Sequence, residues 1–415
     1  MPKARYHYAW VIAAVTFLIL LTAAGVRATP SVLMVPLEKE FGWSRSVISG
    51  AVAVNIALFG LIGPFAASLM QRWGLRRIVS LALALLACAV ALSTQMKTSW
   101  HLMLLWGVLT GAGTGVMSMV LAAVVVNRWF DASRGVVLGA LTAANATGQM
   151  IFLPLLARIV ERSGWRAATL VTASAAAILS VVVILLMRNS PADVNAKPYG
   201  WDPAAAPDNR PRLAAIPALA WASKHPTFWI LAGSFFVCGA STNGLIGTHL
   251  IPACHDYGIS EVHAAGLLAL MGVFDIIGTT ASGWLTDRFS SRNLLFIYYA
   301  IRGLSLLFLP ATLARGGDAL TWFAFFYGLD WVATVPPTVR LATEAFGREN
   351  AAVVFGWVGA AHQLGAATAA FGAGTVRTEL GDYRLAFLAS GALCFTTAFV
   401  FLLGRKRALI PATVN

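Results

Sequence analysis

Long apolar runs recur along the whole chain and restrict its fold more than any other feature. Each is close to the length of about 20 residues that a helix needs to cross a bilayer. In hydrocarbon, backbone groups find partners only within the protein, so helices and closed barrels are the structures that span. The runs therefore predict an all-α membrane protein with twelve transmembrane helices, at roughly 8–30, 47–70, 78–96, 102–126, 135–157, 167–187, 226–251, 262–285, 294–313, 319–340, 351–375 and 385–404.

The composition excludes other classes of protein. Of 415 residues, 58% are hydrophobic and 11% are charged, whereas soluble domains average about a quarter charged residues. A soluble enzyme is therefore excluded, and the sequence contains no nucleotide-binding fingerprint, nucleophile elbow or metal-ligand set. The four cysteines lack paired spacing, so we expect neither a disulfide framework nor a metal or other cofactor.

The net charge of +13 suggests nucleic-acid binding until the charges are placed on the chain. With the N-terminus inside, the predicted cytoplasmic segments hold 19 of the 30 Lys and Arg residues, and the opposite side holds nine. This split is the one that the positive-inside rule describes. We therefore expect both termini in the cytoplasm, a multi-pass protein of the bacterial inner membrane, and no nucleic-acid partner.

One long polar stretch, at about 188–225, divides the spans six and six. It predicts an N-terminal bundle at 1–187, a cytoplasmic linker at 188–225 and a C-terminal bundle at 226–415. We expect the linker to be a flexible tether, with a short surface helix around 213–223.

The two halves share an internal repeat. The segment PLEKEFGWS that begins at Pro36 reappears as PACHDYGIS at Pro252, and GALTAANATG at Gly139 reappears as GWVGAAHQLG at Gly356. Ordered matches at nearly one offset predict two parallel six-helix repeats. Transporters built in this way place their site near the bilayer midplane between the halves.

Two loop segments resemble a family signature. GWLTDRFSSR, ending at Arg292, and its counterpart QRWGLRR at 71–77 resemble the loop signature of the major facilitator superfamily, although Gln71 replaces the usual Asp. The segments 25–45, 248–256 and 328–337 resemble bacterial monocarboxylate-porter-like and oxalate–formate antiporter-like members. The resemblance covers nearly the whole chain and implies the major facilitator fold and transport by alternating access.

The chain departs from the animal lactate porters of that family in span 8. Those porters carry an Asp followed four residues later by an Arg, whereas here Asp275 is followed by Thr279. Proton-coupled lactate transport therefore does not carry over directly from the resemblance.

Four formal charges lie inside predicted spans, and such residues cost about 2.5–3.5 kcal/mol on insertion scales, which indicates function. Arg27 is the one in the first half, and a guanidinium can bind a carboxylate with two parallel hydrogen bonds. We predict that Arg27 binds an anionic substrate. The alternative is an Arg that snorkels towards the outer end of span 1.

The other three charges lie in the second half. Arg302 is predicted to pair with Asp330 or Asp275 in a structural or gating role, because an unpaired buried charge costs more than a pair. The remaining acid would carry a proton, since burial favours the protonated form of a carboxyl without a partner. Asp275 is the first candidate and Asp330 the second, unless both acids share Arg302.

Uncharged polar residues complete the predicted substrate site: Asn145, Asn243, His249 and His362. Each histidine also fits the role of a hydrogen-bonded structural group. The loop charges are predicted to be gate latches, which pair in one conformation and separate in the other: Arg72, Arg76, Asp287, Arg288 and Arg292.

An outer loop carries potential metal ligands at His255, Asp256, Glu261 and His263. Their repeat counterparts include Lys39, Glu40 and Arg45, so the sequence favours a solvated connection over a metal site.

These observations predict a monomeric secondary transporter that moves a small organic anion, a monocarboxylate, together with a proton. One alternative is an exporter or exchanger of a larger or neutral metabolite or drug, which a broad aromatic cavity would favour. Another is a non-transporting sensor of the same fold, which the lack of a sizeable soluble output domain disfavours.

Overall fold

The computed structural model describes residues 7–201 and 213–403. In this part of the chain, nine helices are long and apolar enough to cross a membrane. One of them, Val136–Leu186, contains two spans, because Gly164 has non-helical backbone angles (φ 79°, ψ 167°). Two further spans, which are more polar than the nine helices, occupy residues 318–380. Gly347 separates one from the other (φ 74°, ψ 156°).

Twelve spans result, which confirms the predicted fold class. The N-terminal half contains α1 (Tyr8–Phe41), α2 (Arg45–Trp73), α3 (Leu75–Ser93), α4 (Ser99–Trp129), α5 (134–163) and α6 (165–186). The C-terminal half contains α7 (Pro226–Asp256), α8 (Glu261–Thr286), α9 (Ser291–Arg315), α10 (318–346), α11 (348–380) and α12 (Arg384–Leu403).

The linker packs against both halves where it is described. Tyr199 forms a β-bridge with Phe130 at the end of α4, so the first part of the linker is fixed to the N-terminal half. A short helix, Ala215–Ala222, forms where the sequence predicts one, and its Ala215 carbonyl accepts a hydrogen bond from Trp357 Nε1 of α11. These two parts of the linker are therefore anchored, in contrast to the expected flexible tether.

Helices α4 and α10, which are repeat counterparts, are both interrupted near mid-span. Helix α4 breaks at Met117–Ser118, and α10 has a turn at 331–334. Both interruptions lie against the central cavity described below. A broken spanning helix is tolerated where its freed backbone groups line a cavity or are buried in protein.

Helices of the two halves pack closely along three pairs: α2 with α11, α5 with α8, and α1 with α7. Glycine permits the closest of these contacts, because a Cβ at Gly374 of α11 would collide with Ser49 of α2, and one at Gly60 would collide with Gln363. Small residues at helix interfaces are the usual means of close approach in lipid.

The halves meet at one end of the bundle and separate towards the other. Contacts between α2 and α11 extend from Gly60 to Ser46, next to the loop at 42–44. Beyond Gly60, the atoms nearest a Cβ at Gly63 belong to α4 of the same half. The end near loops 42–44, 257–260 and 381–383 is the closed end, and the opposite end is the open end.

Candidate substrate-binding site

A central cavity of about 500 Å³ lies between the two halves. Its walls come from α1, α2, α4 and α5 on one side and from α7, α8, α10 and α11 on the other. Three of the predicted site residues line it: Arg27, Asn243 and Asp275. A smaller cavity of about 70 Å³ continues towards the closed end and shares Arg27 and Asn243 with the larger one.

Arg27 lies at the junction of the two cavities. Its guanidinium carbon is 4.1 Å from the centroid of the Phe59 ring on α2, a cation–π contact. Asn243, the repeat counterpart of Arg27, lines the same two cavities from α7.

Two glutamines that the sequence analysis did not single out also line both cavities. Gln149 lies on α5 and Gln363 on α11. Gln149 follows Asn145 by four residues and so shares its helix face, which was the available signal. With Asn243, these amides surround Arg27 with groups that can donate or accept hydrogen bonds.

Asp275 lies on α8 and is held in one orientation by neutral donors. Its Oδ1 accepts hydrogen bonds from Thr279 Oγ1 at 2.9 Å and from the Val332 backbone N–H at 3.0 Å. Thr279 is the residue that replaces the family's Arg, and Val332 belongs to the interruption of α10. The carboxylate is therefore positioned at the cavity wall by one side chain and one broken helix.

Arg302 forms its ion pair with Asp330, behind the cavity wall. Nε of Arg302 is 2.7 Å from Oδ2 of Asp330, and both side chains are buried. Arg302 also donates hydrogen bonds to the carbonyl of Asp330, to that of Trp331 and to Cys238 Sγ at 3.0 Å. Of the two acids that the sequence offers as partners of Arg302, the structure thus places Asp330 against Arg302 and Asp275 at the cavity.

The two predicted binding histidines do not line the central cavity. His249 is fully buried near the closed end, with Nε2 2.7 Å from the Ala370 carbonyl and Nδ1 3.1 Å from Tyr383 Oη. His362 faces Phe235 of α7, with ring centroids 5.6 Å apart, while its neighbour Gln363 lines the cavity. The side chain of Asn145 lies outside the described residues.

A buried network of charges closes the bundle at the closed end. Arg45 of α2 is 3% exposed and forms a bidentate pair with Asp256 at the end of α7, with N–O distances of 2.6 and 2.7 Å. It also pairs with Glu38 at 2.9 Å and donates to Tyr383 Oη at 3.2 Å. Arg377 of α11 completes the network, with its Nε 2.7 Å from Asp256. We call these five residues the closed-end gate.

The closed-end gate corrects the expectation of a solvated outer connection. Arg45 and Asp256 occupy corresponding segments of the two repeats, and a single ion pair joins them across the halves instead of leaving each in water. The Arg45 guanidinium is buried because α2, α7 and the 381–383 loop converge on it. Within the described residues, no group of three His, Cys, Asp or Glu side chains is arranged to hold a metal ion.

The predicted gate latches lie at the open end. Arg72, Asp287 and Arg288 are exposed, and Arg288 lies over the Trp284 ring at 4.0 Å. The backbone N–H of Arg76 donates to Asn189 Oδ1 at 3.0 Å, and Arg292 donates to the Phe401 carbonyl at 3.1 Å. Their positions place all five residues at the end where the halves are separated.

Known proteins resemble this chain over most of its length. The sequence profile of the Major Facilitator Superfamily matches residues 15–370 and 256–413. The uncharacterized MFS-type transporter YcxA of Bacillus subtilis (strain 168) is 27% identical over 345 residues, which cover 81% of this chain and 80% of that protein. Monocarboxylate transporter 12-B of Danio rerio is 25% identical over 426 residues, covering 95% of this chain and 86% of the relative.

The fold also matches a solved structure. A bacterial homologue of the human lysosomal transporter Spinster, in an inward-facing and unoccupied conformation, aligns with a TM-score of 0.74 at 16% identity. The alignment covers 98% of this chain and 97% of that one.

The Arg302–Asp330 pair yields a stability prediction. Arg302→Gln and Asp330→Asn should each lower the free energy of unfolding by about 3–5 kcal/mol, because each leaves a buried charge alone, whereas the double variant should recover much of the loss. Thermal unfolding in detergent measures this. Arg166→Gln, which breaks an exposed pair with Glu40, is the control and should cost about 1 kcal/mol or less. A double variant as unstable as the sum of the singles would contradict the pairing.

The closed-end gate yields a crosslinking prediction. Ser46 Oγ and Thr375 Oγ1 are 3.2 Å apart across the halves, so Ser46→Cys with Thr375→Cys should form a disulfide on mild oxidation once the native cysteines are replaced by Ala. Adding Arg45→Gln should slow this reaction roughly tenfold or more, because it removes the bidentate ion pair that joins Asp256 to the other half and so disfavours the closed arrangement.

Arg166→Gln serves as the control for that experiment, since its ion pair lies at the same end but within one half. It should leave the crosslinking rate unchanged. Equal rates with and without Arg45→Gln would show that the network does not hold the halves together.

Proposed function

The chain belongs to the Major Facilitator Superfamily and is a transporter, and we propose that it moves a small organic anion, a monocarboxylate, together with a proton. The observation that carries the proposal is the position of Arg27 in a cavity between two halves that are joined at one end only. The names of relatives such as monocarboxylate transporter 12-B support the same class of substrate.

Arg27 would bind the carboxylate. The contact with the Phe59 ring holds its guanidinium at the cavity, and a guanidinium that is already positioned loses less conformational freedom when it binds a carboxylate with two bonds. Gln149, Asn243 and Gln363 would supply hydrogen bonds to the remaining polar groups of the substrate. Arg27 would thus supply from α1 the guanidinium that the animal porters carry in span 8.

Asp275 would carry the proton. It lies at the cavity wall, and the donors that position it, Thr279 and the Val332 N–H, are neutral. Among the described residues Asp275 forms no ion pair that gaining or losing a proton would break, whereas protonating Asp330 would disrupt its pair with Arg302. Asp275 therefore suits proton coupling better than Asp330 does.

Alternating access would proceed by opening the closed end of the bundle while the open end closes. The loops at 42–44, 257–260 and 381–383 are those that the charge distribution assigns to the outside, so the described conformation would open to the cytoplasm of a bacterial cell. Opening the outside requires separation of Arg45 from Asp256, and closing the inside would bring the open-end latches together. A monomer suffices for this cycle, because the cavity lies within one chain.

A second candidate is a larger organic anion with an apolar body. Three methionines and a tryptophan lie along the cavity wall: Met117, Met119, Met271 and Trp331. Thioether side chains adapt to ligands of different shape, and a cavity of about 500 Å³ exceeds the size of a three-carbon acid. Stronger competition by 3-phenylpropionate than by lactate in uptake assays would favour this candidate.

The first functional prediction concerns Arg27. In proteoliposomes, Arg27→Gln should weaken carboxylate binding about 100-fold, since two charge-assisted hydrogen bonds are lost, and Arg27→Lys should retain part of the affinity because it keeps the charge. Isothermal titration across a panel of monocarboxylates measures both. Arg158→Gln, which removes an exposed charge on α5, is the control. Wild-type affinity in Arg27→Gln would exclude Arg27 from the site.

The second functional prediction concerns Asp275. Asp275→Asn keeps an oxygen that can accept from Thr279 and Val332 but carries no titrating proton. It should abolish accumulation driven by a proton gradient and preserve substrate exchange between equal pools, which radiolabel uptake distinguishes. Asp318→Asn, at the exposed start of α10, should behave like the wild type. If Asp275→Asn still concentrates substrate, the proton is carried elsewhere.

A further inference from the structure

His249 is a buried titratable group that none of the proposed transport steps uses. It lies on α7 about two turns before Asp256, so it is on the inner side of the closed-end gate, and its side chain is fully buried. Nε2 is 2.7 Å from the Ala370 carbonyl of α11, and Nδ1 is 3.1 Å from Tyr383 Oη. Both ring nitrogens therefore have partners within the C-terminal half.

These partners determine which nitrogen of His249 carries the proton. A carbonyl oxygen only accepts hydrogen bonds, so Nε2 donates to Ala370. The other nitrogen of a neutral imidazole is an acceptor, so the Tyr383 hydroxyl donates to Nδ1. Burial raises the pKa of Tyr383 to about 12, and this hydroxyl therefore keeps the proton that it donates.

Tyr383 connects His249 to the closed-end gate. Arg45 Nη1 donates to Tyr383 Oη at 3.2 Å, and the Arg45 guanidinium carbon is 5.5 Å from the centroid of the Tyr383 ring. A directed chain of hydrogen bonds thus runs from Arg45 through Tyr383 and His249 to the backbone of α11. Arg45 comes from the N-terminal half, whereas the other members of the chain come from the C-terminal half.

The closed arrangement disfavours a second proton on His249. A proton on Nδ1 would point at the Tyr383 oxygen, which already accepts from Arg45, and the Tyr383 proton would lose its acceptor. The imidazolium would also lie close to the Arg45 guanidinium in a fully buried site, where two like charges repel more strongly than in water. The closed end therefore holds His249 neutral.

Each element that packs against this part of α7 carries charged or titratable groups at the closed end. They are Glu38 and Lys39 of α1, Arg45 of α2, His255 and Asp256 of α7, Glu261 and His263 of α8, Arg377 of α11, and Tyr383 before α12. The acids have partners other than His249. Glu38 pairs with Arg45, and Asp256 pairs with Arg45 and Arg377. Glu261 lies 3.6 Å from His255. Arg45 is thus the charge that the hydrogen-bond chain connects to His249.

Separation of the two halves reverses these conditions. Arg45 leaves with α2, whereas Tyr383, Asp256 and Arg377 remain in the same half as His249. The Tyr383 oxygen can then accept from Nδ1, and Asp256 keeps one arginine in place of two, so the C-terminal half gains an uncompensated negative charge. A path from the closed end to the cavity passes His249, and water on that path can supply a proton.

We propose that His249 is a second proton-binding site of the transporter, occupied when the closed end opens and emptied when it closes. The proton binds to Nδ1 from water on that side and returns to it when Arg45 comes back. One positive charge thus replaces another against the C-terminal half, and acid on that side favours opening. The inference rests on the alternating access of the proposed function, but not on Asp275 or on the identity of the substrate.

Distance measurements between two spin labels on the full-length, substrate-free protein test the proposal. Lys97→Cys in the α3–α4 loop and Glu379→Cys near the end of α11 place the labels on opposite halves at the closed end, once the native cysteines are replaced by Ala. From about pH 7.5 to about pH 5.5, the ratio of open to closed molecules should rise about tenfold. One proton that binds a single state changes this ratio by up to about tenfold per pH unit.

Two replacements of His249 remove the titrating group. His249→Gln keeps a donor for Ala370, and His249→Asn keeps an acceptor for Tyr383. Whichever of the two melts close to the wild type should show the same ratio of open to closed molecules at both pH values. A merely structural role would change the ratio but not its dependence on pH.

His255→Gln is the matched control, because it removes another imidazole at the closed end that lies outside the hydrogen-bond chain. It should keep the full pH response. Asp275→Asn should also keep the response, which separates this site from the proton carrier proposed at the cavity. A wild-type ratio that does not change with pH would overturn the proposal. A full response without His249, or loss of the response in His255→Gln or Asp275→Asn, would do the same by placing the proton elsewhere.

Discussion

The hydrocarbon core of a bilayer offers no water to a charged side chain, and the arrangement of this protein follows from that constraint. Each charge within the bundle must be paired, stacked or placed at a cavity. Arg302 and Asp330 are paired with each other, Arg27 lies over the Phe59 ring at a cavity, and Asp275 is hydrogen-bonded at the wall of the same cavity. These arrangements differ in position. The Arg302–Asp330 pair lies behind the cavity wall, whereas Arg27 and Asp275 lie where a ligand in the cavity can reach them.

The second half shows this division most clearly. Its two acids lie in neighbouring helices, yet one is committed to an arginine behind the wall and the other is positioned by neutral donors. The interruption of α10 serves both, because the Asp330 carbonyl accepts from Arg302 while the Val332 N–H donates to Asp275. A continuous helix would use those backbone groups internally. The break therefore links a structural ion pair to the carboxylate at the cavity wall.

Transport also requires that the two halves separate without unfolding, and the closed-end gate suits this need. Its contacts are concentrated on Asp256, which bridges Arg45 of one half and Arg377 of the other. The glycine contacts bring the backbones of α2 and α11 close together, with no ion pair between the two helices among the described residues. The two halves are therefore held by a few strong bonds at the closed end, with close helix packing below them.

The sequence by itself determined the twelve spans, the six-and-six division, the short helix in the linker and the small set of charges inside the membrane. Length and hydropathy determine these features, because spanning helices have to be long and apolar whatever their neighbours are. The repeat also predicted that Arg27 and Asn243 occupy equivalent positions, and both line one cavity.

Only the tertiary structure decided which groups meet. In lipid both faces of a helix are apolar, so periodicity along the sequence does not determine its rotation. The rotation of α11 turns Gln363 to the cavity and His362 to Phe235, and it places His249 of α7 against Ala370 at the closed end. The pair of Arg45 with Asp256 joins residues 211 positions apart, and it exists because the two repeats face each other across the bundle.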